Sequence, residues 1–292
     1  YIELKQRLIG FGYCFLNASD TEVIMAAYLE WGEKCVNEFN GMWAFCLYDI
    51  EKKTLFCSRD RLGVKPFYYF QQGEKFVFSS ELKGILKHEK LQINTLTNVN
   101  QEAVELYFSL GYIPAPATIY NHVFKLEAGS YIIYDLQENR ISKKYSYYQF
   151  PIRQKSYNRG QLVEEGKELI KHSVKLRMRS DVPVGAFLSG GLDSSSVVGE
   201  MKHFTDLTKL HTFSIGFEEK KFDESHYIHL VKDYFHSLHN HHIYTEDNFI
   251  DTWSLYTNIF DEPFADYSSF PSYTVCGMAK KKVSVVLSGD GG

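Results

Sequence analysis

The sequence predicts an α+β domain over residues 1–150, followed by an α/β domain over residues 157–292 built on a parallel sheet. Three observations carry this. In the first half, apolar residues recur with a period of two in paired runs separated by turn residues, the pattern of antiparallel hairpins. In the second half, strand-like and helix-like runs alternate, which implies βαβ units. At one strand-to-helix junction of the second half stands Ser189-Gly190-Gly191-Leu192-Asp193-Ser194-Ser195, a glycine turn that opens a helix. A length of 292 residues accommodates two domains, at the usual ~150 residues each.

The elements follow in order. Residues 3–9 predict a short helix. Ser19 with Glu22 three positions later forms a capping box, and an amphipathic helix is expected to run from there to about Phe39. The period then changes to two. Strands are expected at 42–48 and 54–58, then at 66–70 and 75–80 around the turn Gln71-Gln72-Gly73-Glu74. Helices follow at 81–86 and 102–109, and a third hairpin at 130–135 and 140–145. The pattern switches near Pro151–Tyr157, where the domain boundary is placed. Beyond it, helices are expected at 160–177, 194–202, 224–236, 249–260 and 268–281. The strands between them fall at 182–188, 210–217, 241–244 and 283–287.

Composition excludes several function classes. The 22 Phe and 21 Tyr supply apolar area for two cores. A net charge of −4, with Lys280-Lys281-Lys282 as the densest basic patch, does not support a nucleic-acid partner. Those lysines read instead as a complement to a helix C-terminus. The 5 cysteines are odd in number and far apart, without a Cys-x-x-Cys, which fits a reducing compartment and a cytoplasmic protein. No run reaches the ~18 apolar residues of a membrane helix, so no membrane partner is expected. His236, His239, His241 and His242 lack a recognised zinc spacing.

The glycine loop carries the chemistry. Two glycines let backbone approach a ligand closely, and a helix N-terminus offers unpaired N–H groups with partial positive charge. Ser189, Ser194 and Ser195 add hydroxyls. The loop lacks the lysine of a Walker A motif and the order of a Gly-x-Ser-x-Gly elbow. Asp193 would repel phosphate on its own, and its presence points to Mg²⁺ between carboxylate and phosphate oxygens. A plain helix cap with turn glycines is the competing reading.

Ser189–Ser195 resembles the PP-loop of the ATP pyrophosphatases, which split ATP to AMP and pyrophosphate while adenylating a substrate. Thr212-Phe213-Ser214-Ile215-Gly216-Phe217, Phe222-Asp223-Glu224-Ser225, Asp261-Glu262-Pro263-Phe264-Ala265-Asp266 and Leu287-Ser288-Gly289-Asp290-Gly291-Gly292 narrow the resemblance to glutamine-hydrolysing asparagine synthetases. In the first half, Ser19-Asp20-Thr21-Glu22, Phe39–Phe45 and Arg59-Asp60-Arg61 through Tyr69 resemble a class II glutamine amidotransferase domain. The resemblance implies an Ntn-type αββα sandwich followed by a PP-loop domain, both incomplete. It implies ATP binding by Leu188, Ser189, Gly190, Gly191, Asp193, Ser194, Ile215, Ser288 and Gly289, with Mg²⁺ at Asp193. Asp290 matches an acidic position tied to β-aspartyl-AMP formation, and Asp20 the carboxylate that grips the glutamine ammonium. Leu188 and Ile215 read equally as core aliphatics, Asp290 as a turn residue and Asp20 as a helix-capping acid. No role is assigned to Asp261-Glu262-Pro263.

The implied partners are ATP, aspartate and glutamine, and a homodimer is left open. A related enzyme that amidates a different carboxylate (a surface sugar acid or a β-lactam precursor) and a non-catalytic nucleotide-binding derivative are the alternatives. The chain opens on Tyr1 and stops in a loop, so it reads as a fragment cut at both ends. The N-terminal Cys that serves such amidotransferases as nucleophile is expected before Tyr1. The 292-residue chain alone is therefore expected to hydrolyse no glutamine. Glutamate release above a heat-killed control would contradict this.

Overall fold

The computed structural model describes residues 1–91, 93, 97–150 and 158–290, except the side chain of Thr257. It separates into two compact units, Tyr1–Ile152 with Phe260–Ala265, and Arg153–Ile259 with Asp266–Gly292. The boundary expected at Pro151–Tyr157 lies outside the described residues.

The first unit holds α1 (Ile2–Gly10), α2 (Asp20–Trp31), β1 (Ala44–Asp49), β2 (Thr54–Arg59), β3 (Tyr68–Gln72), β4 (Lys75–Ser79), α3 (Leu82–Leu86), α4 (Gln101–Leu110), β5 (Val123–Lys125), β6 (Ser130–Asp135) and β7 (Arg140–Ser146). They build two antiparallel sheets, ordered β1-β2-β6-β7 and β4-β3-β5. Strand alternation decides which layer each side chain joins. Phe56 and Tyr131 pack with Leu4, Leu8, Val23 and Ala27 of α1 and α2. Their neighbours Cys57 and Ile132 meet Phe67 and Tyr69. Phe70 in turn meets Leu82 and Ile85 of α3.

Three local expectations are corrected here. The helix expected to reach Phe39 stops at Trp31, because Gly32 takes φ 58 and a 3₁₀ turn, Gly32–Asn37, replaces the continuation. Ser19 caps α2 by accepting from Thr21 N at 3.1 Å, but Glu22 does not close the box. Its carboxylate reaches past the cap to Leu16 N and Asn17 N. Strand β5 was not foreseen, since only three residues of it pair.

The Arg59–Tyr69 stretch is a structural knot. Asp60 is buried, and its carboxylate accepts from the backbone N–H of Trp43, Leu62, Val64 and Lys65. Arg59 donates to the carbonyls of Gly63, Lys65 and Leu126. Tight loops otherwise leave such groups unpaired, so two charged side chains stand in for a missing ladder.

The second unit holds α5 (Arg159–Arg177), β8 (Val184–Phe187), α6 (Leu192–Met201), β9 (His211–Phe217), α7 (Ser225–Phe235), β10 (Leu238–Tyr244), α8 (Glu246–Ile259), α9 (Ser269–Lys280) and β11 (Val285–Leu287). The strands form one parallel sheet ordered β10-β9-β8-β11, as the strand–helix alternation predicts. On one face Leu188, Leu210 and Leu287 pack with Val174 of α5 and with Val198 and Met201 of α6. On the other, Phe213 and Ile215 pack against Val275 and Ala279 of α9. Strand β10 begins at Leu238, three residues before the expected start. Its His and Asn side chains hide it from a search for β-branched residues. No helix among the described residues is long and apolar enough to cross a membrane.

Removing the Asp60 carboxylate strands four backbone donors, of which that of Trp43 is buried and the other three are part-buried. Each unsatisfied buried group costs about 1–3 kcal/mol. Asp60→Ala is expected to destabilise the protein by about 1–3 kcal/mol, the cost of one unsatisfied buried group, read from the urea unfolding midpoint. A loss under about 1 kcal/mol, less than one such group, would refute the knot.

Candidate functional site

The second-unit candidates converge at the carboxyl end of the parallel sheet, where open α/β sheets bind ligands. Strand β8 ends at Phe187, and Leu188 is held by donating to Phe213 O at 2.9 Å. The chain then turns through Ser189, Gly190 and Gly191 into α6, with Gly191 as the cap residue. Gly190 sits at φ 79 against the first turn of α7, where a Cβ would lie 2.8 Å from Ile228 N. Only glycine satisfies both the left-handed backbone and that approach.

Internal hydrogen bonds set the loop's shape. Ser194 Oγ accepts from Ser189 N at 3.2 Å and lies 2.9 Å from Ser189 Oγ. Gly191 N donates weakly to Ser189 Oγ at 3.4 Å. The hydroxyls of Ser189 and Ser194 are therefore engaged in shaping the loop. Ser195 differs: its Oγ is buried with no hydrogen-bond partner among the described residues. An unpaired buried hydroxyl on the first turn of α6 is uncommon in a folded protein. Asp193 lies exposed on the same turn.

Ser288, Gly289 and Asp290 follow β11, and the fold brings them to this helix end. A Cβ on Gly289 would lie 2.7 Å from Ser194 N and 2.9 Å from Asp193 Cβ. Ser288 Oγ accepts from Asp290 N at 3.3 Å, closing a small turn that leaves Asp290 exposed. Ile215 is half-buried on the α9 face, and the side chain of Leu188 is fully in the α5–α6 core. Leu188 can therefore meet a ligand only through its backbone. Asp20 belongs to the first unit, exposed as the first residue of α2, where its charge suits the helix N-terminus.

Sequence reasoning left Asp261-Glu262-Pro263 without a role. The structure gives it one within the first unit. Glu262 pairs with Lys125 and accepts from Ile119 N at 3.3 Å. Asp261 accepts from Lys83 N at 3.0 Å, and Ala265 N donates to Gly111 O at 2.7 Å. Burial pushes the Glu262 carboxyl up from its ordinary value, while Lys125 pulls it back down. The signal available in the sequence was an acidic pair beside a proline, too common to assign. On β10, His239 and His241 hydrogen-bond with the hydroxyls of Thr212, Ser214 and Ser225, and His242 with the side chain of Asn248. Among the described residues no group of three or more His, Cys, Asp or Glu is arranged to hold a metal ion.

Residues 1–148 match the model of the glutamine amidotransferase domain family, and residues 165–292 that of the asparagine synthase family. The chain belongs to the glutamine-hydrolysing asparagine synthetase family. It is 56% identical over 292 residues to a protein of Methanocaldococcus jannaschii provisionally named asparagine synthetase (glutamine-hydrolyzing) 2, covering 100% of this chain and 55% of that one. It is 35% identical over 294 residues to asparagine synthetase (glutamine-hydrolyzing) 1 of Bacillus subtilis, covering 100% of this chain and 45% of that one. The chain thus spans about half the length of these synthetases. Among solved structures, the glutamine phosphoribosylpyrophosphate amidotransferase of B. subtilis is similar over 69% of this chain and 41% of that chain. Its TM-score is 0.33 at 16% identity, too loose to define the fold.

Gly289 makes the closest backbone approach to the start of α6. Gly289→Ala is expected to force the end of β11 away from α6 and to weaken ATP binding by about 10-fold or more, the equivalent of ~1.4 kcal/mol. Equilibrium titration with ATP on the full-length protein checks this. Unchanged affinity would show that the joint does not shape the nucleotide site.

Proposed function

We propose that this protein catalyses ATP-dependent amidation of aspartate to asparagine, with glutamine as nitrogen donor, through β-aspartyl-AMP and with release of AMP and pyrophosphate. The observation that carries the reading is the convergence of Ser189–Ser195 and Ser288–Asp290 on the N-terminus of α6. Family membership supports the acceptor and the nitrogen source. The packed order of α1 and α2, two antiparallel sheets and α3 supports an Ntn-type αββα sandwich for the first unit. Five unpaired cysteines support a reducing, cytoplasmic setting.

The residues divide the work. Backbone N–H groups at Gly190, Gly191 and the start of α6 receive phosphate oxygens, aided by the helix dipole and the Ser195 hydroxyl. Asp193 would hold Mg²⁺, which would supply charge neutralisation at the phosphates. A hard cation suits this acceptor-only, exposed carboxylate. Asp290 supports attack of the aspartate β-carboxylate on the α-phosphorus. Asp20 orients the glutamine through its ammonium, so its effect is confined to the glutamine-fed reaction. Ammonia then attacks the acyl adenylate and AMP leaves.

The test uses the full-length protein with Mg²⁺, ATP and aspartate, fed with either glutamine or ammonia. Asparagine and pyrophosphate are expected in equal amounts from both. Asp290→Asn is expected to lower pyrophosphate formation about 10²-fold with both nitrogen sources, typical for a lost electrostatic group. Asp20→Ala is expected to raise KM for glutamine and leave the ammonia-fed rate unchanged. Preference for a carboxylic acid other than aspartate would overturn the acceptor assignment.

A further inference from the structure

The interface between a parallel sheet and its covering helix is normally apolar. Between β9, β10 and α7 it is instead a continuous line of hydrogen bonds. Thr212 Oγ1 lies 2.9 Å from Ser237 Oγ and 2.9 Å from His239 Nδ1. Ser214 Oγ lies 3.0 Å from His239 Nε2 and 2.9 Å from His241 Nδ1. Ser225 Oγ lies 3.2 Å from His241 Nε2 and donates to Asp223 Oδ1 at 2.5 Å. The line follows the parallel register, in which His239 faces Thr212 and His241 faces Ser214.

With both imidazoles neutral, proton counting gives the line one direction. A hydroxyl has one proton, and a neutral imidazole has one donor and one acceptor. The Ser225 proton goes to the carboxylate, so His241 Nε2 must donate to Ser225. His241 Nδ1 then accepts from Ser214, His239 Nε2 donates to Ser214, and His239 Nδ1 accepts from Thr212. Ser237 is left to donate to Thr212. Each of the six links carries one proton, and all six point toward Asp223. In this arrangement both imidazoles are neutral and protonated on Nε2.

The surroundings keep them neutral. Facing them are His229, Lys232 and Asp233 of α7, His242 of β10 and Asp223. Burial, then His241, His229 and Lys232, bring His239 down to about 4. Hydrogen bonding to Ser225 holds the Asp223 carboxyl below its ordinary value, so the accepting end stays ionised.

Both ends open onto places of use. Ser237, His239 and His241 line a cavity of about 610 Å³ with His211, His229, Lys232 and Lys282. Asp223 also accepts from Phe217 N at the carboxyl end of β9. One helical turn on, Tyr227 and Ile228 abut Gly190 of the PP-loop. Gly216 makes room for the line, since a Cβ there would lie 2.5 Å from Ser225 Oγ and 2.8 Å from His241 Nε2.

We propose that this line is a proton relay that draws protons from the cavity and delivers them, through Asp223, to pyrophosphate leaving the PP-loop. The proposal rests on the synthetase reading above. The aspartate carboxylate forms a bond to the α-phosphorus, the bond to the bridging oxygen breaks, and its electron pair leaves with pyrophosphate. Pyrophosphate departs with a terminal oxygen more basic than those of ATP. The ionised Asp223 carboxylate receives the Ser225 proton and hands it on to pyrophosphate, each link behind it shifts one proton, and water in the cavity restores the proton at Ser237, leaving hydroxide to solvent.

Two measurements on the full-length protein decide this. The first is ¹⁵N NMR of the histidine rings at pH 7, which needs no substrate. His239 and His241 are expected as neutral Nε2–H tautomers, and an Nδ1–H or doubly protonated ring at either overturns the relay whatever the enzyme amidates. The second is single-turnover pyrophosphate formation. Ser214→Ala and His239→Ala are expected to slow it about 10-fold, as for lost acid–base assistance, with ATP affinity unchanged. Imidazole buffer is expected to restore His239→Ala, and Ser214→Thr to keep the wild-type rate. Wild-type rates in both alanine variants, or slowing that imidazole leaves untouched, would overturn it. Absence of pyrophosphate from the wild type with every carboxylate tried would instead sink the synthetase reading, leaving the tautomers to judge the line itself.

Discussion

The close approach of Gly289 to the first turn of α6 is the contact on which the second unit's site depends. A parallel sheet delivers every strand end to one edge, but it does not by itself bring two ends within reach of one ligand. β8 and β11 are hydrogen-bonded neighbours, with Leu287 opposite Ala186. The chain leaving β8 turns at once into a helix, and the chain leaving β11 slides beneath that helix where no Cβ intervenes. Gly190 performs the same service on the other side, against α7. Backbone therefore meets backbone on both flanks of the loop, and the loop's shape is fixed by close packing.

Charge is used differently in the two units. In the first, Arg59, Asp60 and the Lys125–Glu262 pair are withdrawn from solvent and spend their hydrogen bonds on backbone or on each other. They hold loops in place. In the second, Asp193 and Asp290 stay exposed beside a helix N-terminus, and Ser195 keeps a hydroxyl unpaired. A buried, fully satisfied carboxylate is a brace, and an exposed one near unpaired donors is available to a ligand. That distinction separates Asp60 from Asp290, although both sit in glycine-containing turns.

The polar seam beneath α7 shows how a local choice propagates. Replacing apolar residues by Thr212, Ser214, His239 and His241 obliges every donor to find an acceptor, because an unpaired buried group is costly. One carboxylate at the end then orders all the protons in the line. The energetic demand for satisfaction and the directional polarity are the same fact.

By itself the sequence determined the element types, the switch from antiparallel to parallel pairing and the seven-residue loop. These rest on local periodicity, on turn chemistry and on residues adjacent in the chain. It misjudged the helix beyond Trp31, since one glycine at positive φ outweighs an amphipathic pattern, and it missed β5, too short to show a period. Only the tertiary structure decided that Phe260–Ala265 packs with the first unit, that Leu188 is turned into the core, and that Ser288–Asp290 meets α6. It alone aligned four side chains from β9 and β10 into one line. Each of these depends on which strands are neighbours and in what register, and residues dozens of positions apart carry no local mark of that.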